Sequence, residues 1–391
     1  MVTTSPATPE PDAGGPLHGV RVLDMSALGP GPFCSMLLAD FGAEVIAVER
    51  PQPPPFDVSP FFARGKRSAV VDLRAPGGTE VISRLADHVD VLLESNRPGT
   101  MERRGLGPDV LCARNPRLIY TRLTGWGQHG PYRDRAGHDI NYIGIAGVLS
   151  VVGDAASAAP VPPLALLGDI AGGSLFAAYG ITMALLQRGR TGLGQVIDSA
   201  IVDGAALLNT PQLAELNTGR WAGRGQHLLS GNAPFYGVYE CADGGYFAVG
   251  ALESKFYAQF IAALDLDDLP VGDQLDPAGW PELRQRVAEI FRNKPRAHWV
   301  EVFAEIDGCG SPVLELDELA HDPHLRERAT IRSDGDGLSA APAPRLSRSP
   351  SQPRPAPARR GADTRAVLTE AGFSAAELTE LSAAGTIHTA D

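Results

Sequence analysis

The sequence predicts an α/β protein, a large doubly wound parallel sheet joined to a smaller α+β domain. Three observations carry that expectation. Between Gly19 and Leu123, short apolar runs alternate with stretches of helical period, the pattern of a parallel sheet covered by helices on both faces. Two β-rich runs, Phe235–Tyr239 and Gly245–Val249, flank an Asp-Gly-Gly turn and read as a hairpin, which opens a second and different unit. The length, 391 residues with 43% hydrophobic and 20% charged, suffices for two buried cores.

In chain order, Val20–Asp24 is the first expected strand, Gly29-Pro-Gly-Pro32 a sharp turn and Phe33–Phe41 a helix. Pro32 suits a first helical position and Gly42 a stop. Glu44–Val48 is the second strand, Ser68–Leu73 the third, Gly78–His88 a helix, Val89–Leu93 the fourth strand and Arg117–Leu123 the fifth. The apolar run Leu175–Leu186 predicts a buried helix, and Val196–Leu216 a second helix that serves as a spacer. These readings divide the chain into a disordered tail (1–15), a large Rossmann-like α/β domain (16–195), a helical linker (196–230), a small α+β domain (231–332) and a C-terminal segment (333–391). The Pro/Arg/Ser-rich run Pro342–Arg360 reads as a linker. Doubly wound sheets bind ligands beyond the carboxyl ends of their strands. This chain carries Arg50, Arg74 and Ser95-Asn96-Arg97 there.

Composition removes several classes of function. A net charge of −12 argues against a nucleic-acid partner. Cys34, Cys112, Cys241 and Cys309 stand far apart, without the spacing of a zinc site or a dithiol. No run reaches about 18 apolar residues, and no basic-then-apolar leader opens the chain, so neither a membrane span nor a secretory signal is expected and a cytoplasmic protein follows. GxSxG, Walker A and HExxH patterns are missing, and Leu28-Gly-Pro-Gly-Pro32 lacks the GxGxxG spacing of a nicotinamide site. His321 and His324 could pair on a metal, but beside Asp322-Pro323 they read as an exposed helix start, so no metal is expected.

Two segments carry chemistry, Ala136-Gly-His-Asp-Ile-Asn-Tyr142 and Gly168-Asp-Ile-Ala-Gly-Gly173. His138, next to a glycine, is open to whatever approaches its turn, or it precedes a helix capped by Asp139. Asp169 is a helix cap, or a carboxylate held ionised by a helix N-terminus. Locally, each has a structural reading as good as its chemical one.

Jointly, the segments resemble the signature of the family III CoA transferases (CaiB/BaiF), in particular the α-methylacyl-CoA racemase branch. The similarity runs from about Pro16 to Leu368 and includes Gly29-Pro-Gly-Pro32, Gly65-Lys-Arg-Ser68, Arg97-Pro-Gly-Thr100, Gly105-Leu-Gly-Pro108, Gly137-His-Asp-Ile-Asn-Tyr142 and Gly168-Asp169. The transferases share the aspartate at Asp169, as the nucleophile that moves CoA between carboxylic acids, and usually carry an aromatic residue where this chain has His138. The resemblance therefore implies an isomerase that moves the α-proton of a 2-methylacyl-CoA through an enolate, with His138 and Asp169 as acid and base on opposite faces of the carbon. A CoA transferase using Asp169 is the alternative.

It implies further that Glu253 orients the imidazole of His138 from a second subunit and that Asp139 lies near the thioester oxygen. Arg50, Arg74, Arg97 and Arg103 match positions that contact CoA phosphates, a role guanidinium suits through paired bonds. Val71-Asp72-Leu73 and Ser95-Asn96 match backbone beside adenine and pantetheine, and Gly137, Ile140, Asn141 and Tyr142 shape the reacting end. Lys66 and Arg67 join the basic candidates. The resemblance implies that residues 333–391 return to the large domain and that two chains interlock into a homodimer; no cofactor is required beyond the substrate's own CoA, and branched fatty, bile-acid, arylpropionyl and polyketide-type thioesters all fit.

Overall fold

The computed structural model describes residues 14–390 apart from 28, 56, 154–158, 267–273, 334–336, 352, 353 and 358. Nearly all of the expected 1–15 tail therefore lies outside the described residues. The chain divides into two units. The first comprises 1–148, 163–209 and 342–391, and the second 149–162 and 210–341.

The first unit holds a sheet of β1 (Arg21–Asp24), β2 (Glu44–Glu49), β3 (Lys66–Val71), β4 (Val91–Glu94), β5 (Ile119–Thr124) and β6 (Val196–Ala200), parallel in the order 3-2-1-4-5-6. A seventh strand, Ile387–His388, lies antiparallel on β3, with Ile387 opposite Val71. Alternation sorts the core onto the two faces. Leu23, Ile46, Leu92 and Tyr120 pack with the helices Gly78–Ala86 and Thr364–Glu370. Their neighbours Val22, Val45, Val91 and Ile119 pack on the other side with Pro30–Asp40 and Phe176–Thr191. The strand order reverses between β1 and β4, so a crevice opens at their carboxyl ends, where doubly wound sheets take ligands.

Three expectations change. Val196–Leu216 is not one helix: Val196–Ala200 is β6, and helices follow at Ile201–Leu208 and Thr210–Asn217. The β-branched pair Val196-Ile197 takes the edge position beside β5, Arg122 opposite Asp198. The helix over Leu175–Leu186 is not buried throughout: Leu175, Tyr179, Met183 and Leu186 are exposed, Tyr179 by 61%. The helical run 166–191 is one of sufficient length and apolarity to cross a bilayer by composition alone. The run Pro342–Arg360 has no helix or strand among its described residues, yet its end is anchored in the first unit. Pro355 accepts the Gly65 N–H at 3.2 Å, and Arg360 pairs with Glu49 and Asp57.

In the second unit, β7 (Tyr236–Glu240) and β8 (Tyr246–Gly250) form the expected hairpin, and β9 (Gly310–Val313) adds a third antiparallel strand. Its core is aromatic, built on Phe235, Tyr239, Phe247, Phe260, Phe291 and Trp299. Asp322 caps the short helix Pro323–Glu327 by accepting the Leu325 N–H at 2.8 Å, which makes the His321/His324 segment a helix start. Among the described residues no cluster of three or more potential metal ligands occurs.

Candidate active site

His138 is the N-cap of the helix Asp139–Ile145, in extended backbone conformation. Its N–H donates to Asn141 Oδ1 at 3.1 Å, and its carbonyl accepts the Asn141 N–H at 2.8 Å. The turn before it is pinned by Tyr142, whose hydroxyl donates to the Gly137 carbonyl. The Tyr142 ring stands edge-on to Trp126 at 4.8 Å between centroids. A Cβ on Gly137 would come within 2.8 Å of that ring, so the approach requires glycine. The backbone is thereby fixed while the imidazole stays exposed.

Asp169 lies in the wide-turn helix Leu166–Leu175, where Ile170 N–H reaches back five residues to Ala165 O at 3.1 Å. Such π-turns carry one residue more per ring than an α-helix and concentrate at functional sites. The preceding helix Asp139–Ile145 turns this geometry into a junction: Asp139, only 9% exposed, accepts the Asp169 N–H on Oδ1 at 2.7 Å. A side chain on Gly168 would collide with the Asp139 carboxylate and approach Ile143 to 2.9 Å, so the two helices meet only because residue 168 is glycine.

The convergence of these groups has electrostatic consequences. Burial pushes the Asp169 carboxyl up to about 6, the Asp139 carboxylate adds to the shift, and the His138 imidazole works against it. Tyr142 is pushed up to about 12 by burial and then by Asp169, while Arg97 pulls it back. His138, Asp139, Tyr142, Asp169 and Arg97 thus share one field, at the carboxyl ends of β4 and β5.

Beside them lie Arg50 after β2, Arg74 after β3, Arg97 after β4 and Arg103 in the following helical turn. All four are exposed, and none forms an ion pair with a described residue. Exposed guanidiniums without ion pairs, of which Arg103 donates to Thr100 Oγ1 at 3.1 Å, are what an anionic ligand needs at the strand ends. Lys66 and Arg67 are corrected. Lys66 is buried against Asp24 at 3.2 Å, and Arg67 is held between Glu44 and Glu370, at 2.6 and 2.7 Å. Asp72 accepts the Arg74 N–H at 2.8 Å, and the Leu73 carbonyl takes a bond from Arg104 at 2.8 Å, which fixes the Val71-Asp72-Leu73 backbone. Ile140 is exposed beside His138. Glu253 lies in the second unit, exposed at the N-cap of Ser254–Ala263, where its side chain makes no capping bond.

The profile of CoA-transferase family III matches residues 17–364. The chain belongs to that family. Among relatives of this family III chain, α-methylacyl-CoA racemase of Mus musculus is 46% identical over 371 residues, covering 93% of this chain and 96% of the relative. The Homo sapiens racemase is also 46% identical, with the same coverage of both chains. Succinyl-CoA–D-citramalate CoA-transferase of Chloroflexus aurantiacus is 36% identical, over 81% of this chain and 83% of its own. A CAIB/BAIF family protein from Brucella suis has a similar structure, with a TM-score of 0.77 at 27% identity over 92% of this chain and all of that one.

Sequence reasoning missed three supports of the site. Glu94, buried at the end of β4, accepts the Asn96 N–H at 2.6 Å and lies 3.4 Å from Arg122, which also holds Glu102 at 2.7 Å. Burial raises the Glu94 carboxyl, yet it fixes the Ser95-Asn96-Arg97 loop of this family III chain. Arg104, next to the expected Arg103, was the second. Ser174, treated below, was the third, and its position five residues after Asp169 was the only sequence signal available.

Proposed function

We propose that this family III chain racemises 2-methylacyl-CoA thioesters by proton transfer between His138 and Asp169. The observation that carries the reading is the raised Asp169 carboxyl within the field of an exposed imidazole. A carboxyl raised to about 6 by burial takes up a proton and returns it near neutral pH, as one member of an acid/base pair must. The pair needs one proton between its members. Neutral His138 takes the α-hydrogen from one face of the carbon while protonated Asp169 returns a proton to the other. In the reverse direction, Asp169 carboxylate abstracts and His138 imidazolium donates.

The enolate formed between these steps needs stabilisation at its oxygen. The Asp169 N–H is already given to Asp139, so the donors assigned to the oxygen are the N–H groups that open the helix at Asp139 and Ile140. Asp139 in this reading positions Asp169 and raises its basicity. Arg50, Arg74, Arg97 and Arg103 take the CoA phosphates along Val71-Asp72-Leu73 and Ser95-Asn96, and Gly137, Asn141 and Tyr142 hold the reacting end. Glu253 orients His138 across a homodimer, for which the exposed Leu175, Tyr179, Met183 and Leu186 provide apolar surface. No cofactor beyond the substrate's CoA enters the scheme, and the enzyme acts on lipid-derived thioesters in the cytoplasm, off the membrane.

The test is incubation of a single enantiomer of a 2-methylacyl-CoA in D₂O without any carboxylate acceptor. Racemisation with uptake of one α-deuterium is expected. An inert thioester that reacts only when an acceptor acid is added, with CoA trapped through Asp169, would assign the chain to CoA transfer.

A further inference from the structure

Asp169 is held at both ends of its peptide. Its N–H donates to Asp139, and its carbonyl lies 2.8 Å from the hydroxyl of Ser174, which is fully buried. The same hydroxyl is 2.8 Å from the carbonyl of Pro30. A hydroxyl has one proton to give, so these two carbonyls share it, and the π-turn carrying Asp169 is tied to the first turn of the helix Pro30–Asp40.

That turn is anchored in its own right. Two residues on, the Pro32 carbonyl accepts Lys66 Nζ at 2.8 Å, and Lys66 is paired with Asp24 in the buried interior. Asp24 is further held by the hydroxyls of Ser26 and Ser35. A continuous polar line therefore runs from Asp24 and Lys66 through Pro32, Pro30 and Ser174 to the Asp169 peptide, all within the first unit. Among the described residues no hydrogen bond or ion pair joins Lys66 or Ser174 to His138 or to the exposed arginines.

Resting on the racemase reading above, we propose that Ser174 is a positioning residue whose hydroxyl sets the aim of the Asp169 carboxylate. The π-turn has one residue more than an α-turn would hold. Without the hydroxyl, the turn from Asp169 to Ser174 is free to tighten, and expelling one residue re-aims the side chain by about 100°, the angular step of an α-helix. His138 sits on a different helix with its own fixings and keeps its place.

The consequence is a one-sided defect. Each enantiomer of the substrate presents its α-hydrogen to one base, so exchange with D₂O reads the two bases separately. In Ser174→Ala, and in Ser174→Cys, which preserves volume but donates weakly, the enantiomer deprotonated by Asp169 is expected to lose its α-hydrogen exchange at least about 30-fold. The enantiomer served by His138 keeps its rate within about 3-fold, and KM for the thioester is unchanged. Equal losses for both enantiomers, or no loss for either, would overturn the assignment. A second measurement needs no turnover: the ¹³C carboxyl resonance of Asp169, identified by its absence in Asp169→Asn, is titrated in both variants. A shift of its midpoint by about one pH unit toward the ordinary aspartate range is expected, and an unmoved midpoint would overturn the proposal even if the wild type acts on another thioester. A wild type inert toward 2-methylacyl-CoA, with the resonance shifted in the variants, would sink the substrate reading and leave Ser174 in its role.

Discussion

At the scale of single residues, the site is costly to the fold that carries it. Asp169 has a folded value of about 6 against 3.8 for a free carboxyl. Between these values the native state keeps a proton that the unfolded chain releases, so stability falls as pH rises through the window of about 4 to 6. Above it, the penalty is fully present. Asp169→Asn is therefore expected to stabilise the protein by about 1–3 kcal/mol at pH 7.5 and to give no gain near pH 4, as measured by thermal unfolding at the two pH values. Inactivity in the same variant would show that a functional group is bought with stability. The residues were legible to different degrees. His138 and Asp169 each had an adequate local explanation as a cap, and only their joint occurrence singled them out. The exposed arginines were legible because they follow strands of a recognisable sheet. Ser174 and Glu94 were not, because their meaning lies in partners the chain brings from elsewhere: Pro30 is 144 positions from Ser174, and the Glu102–Arg122 pair spans 20.

At the scale of elements, the decisive feature is the packing of the helix Leu166–Leu175 on Ile201–Leu208. Gly172 and Gly204 meet backbone to backbone: a Cβ on Gly172 would lie 2.7 Å from the Ala205 nitrogen, and one on Gly204 would strike the Gly172 carbonyl. Overfilling such a contact costs about 1–3 kcal/mol. Gly204→Ala is expected to lower the midpoint of thermal unfolding by several degrees and to reduce turnover as well, because the displaced helix carries Asp169. A stable variant with full activity would contradict this account of the helix pair. The strands β1, β2 and β4 were readable from the sequence because buried parallel strands are largely apolar, and β3 and β5 were readable from their apolar parts, Ala69-Val70-Val71 and Ile119-Tyr120. β6 was not, since Asp198 and Ser199 interrupt its apolar pattern and the apolar residues that follow it run on into a helix. The wide turn at Asp169 was equally hidden, because the glycines of Leu166–Leu175 weaken an α-helix without specifying which helical form replaces it.

At the scale of the molecule, the first unit is discontinuous: residues 342–391 return to it after the second unit has been traversed. Their return had no local signal in the sequence and was implied by the family resemblance alone, and the antiparallel strand Ile387–His388 against β3 was hidden as well, since two residues carry no periodicity. That strand, with the bond from Thr386 to the Pro76 carbonyl, joins positions 310 apart. Contacts of this span repay the entropy of closing a loop only after the loop has closed. The sheet therefore has two clocks. Pairings among β1, β2 and β4 link segments near in the chain, whereas the far side of β3 must wait for a distant one. On dilution from denaturant, pulse-labelled amides of β1 and β4 should gain protection in an early phase, and those of Ile387 and the Asp72 turn in a separate, slower one. A single common phase would show that the edge forms together with the centre. The order matters to a cell as much as to a refolding experiment, for until the late phase completes, β3 stands as an open template to which any passing strand could add.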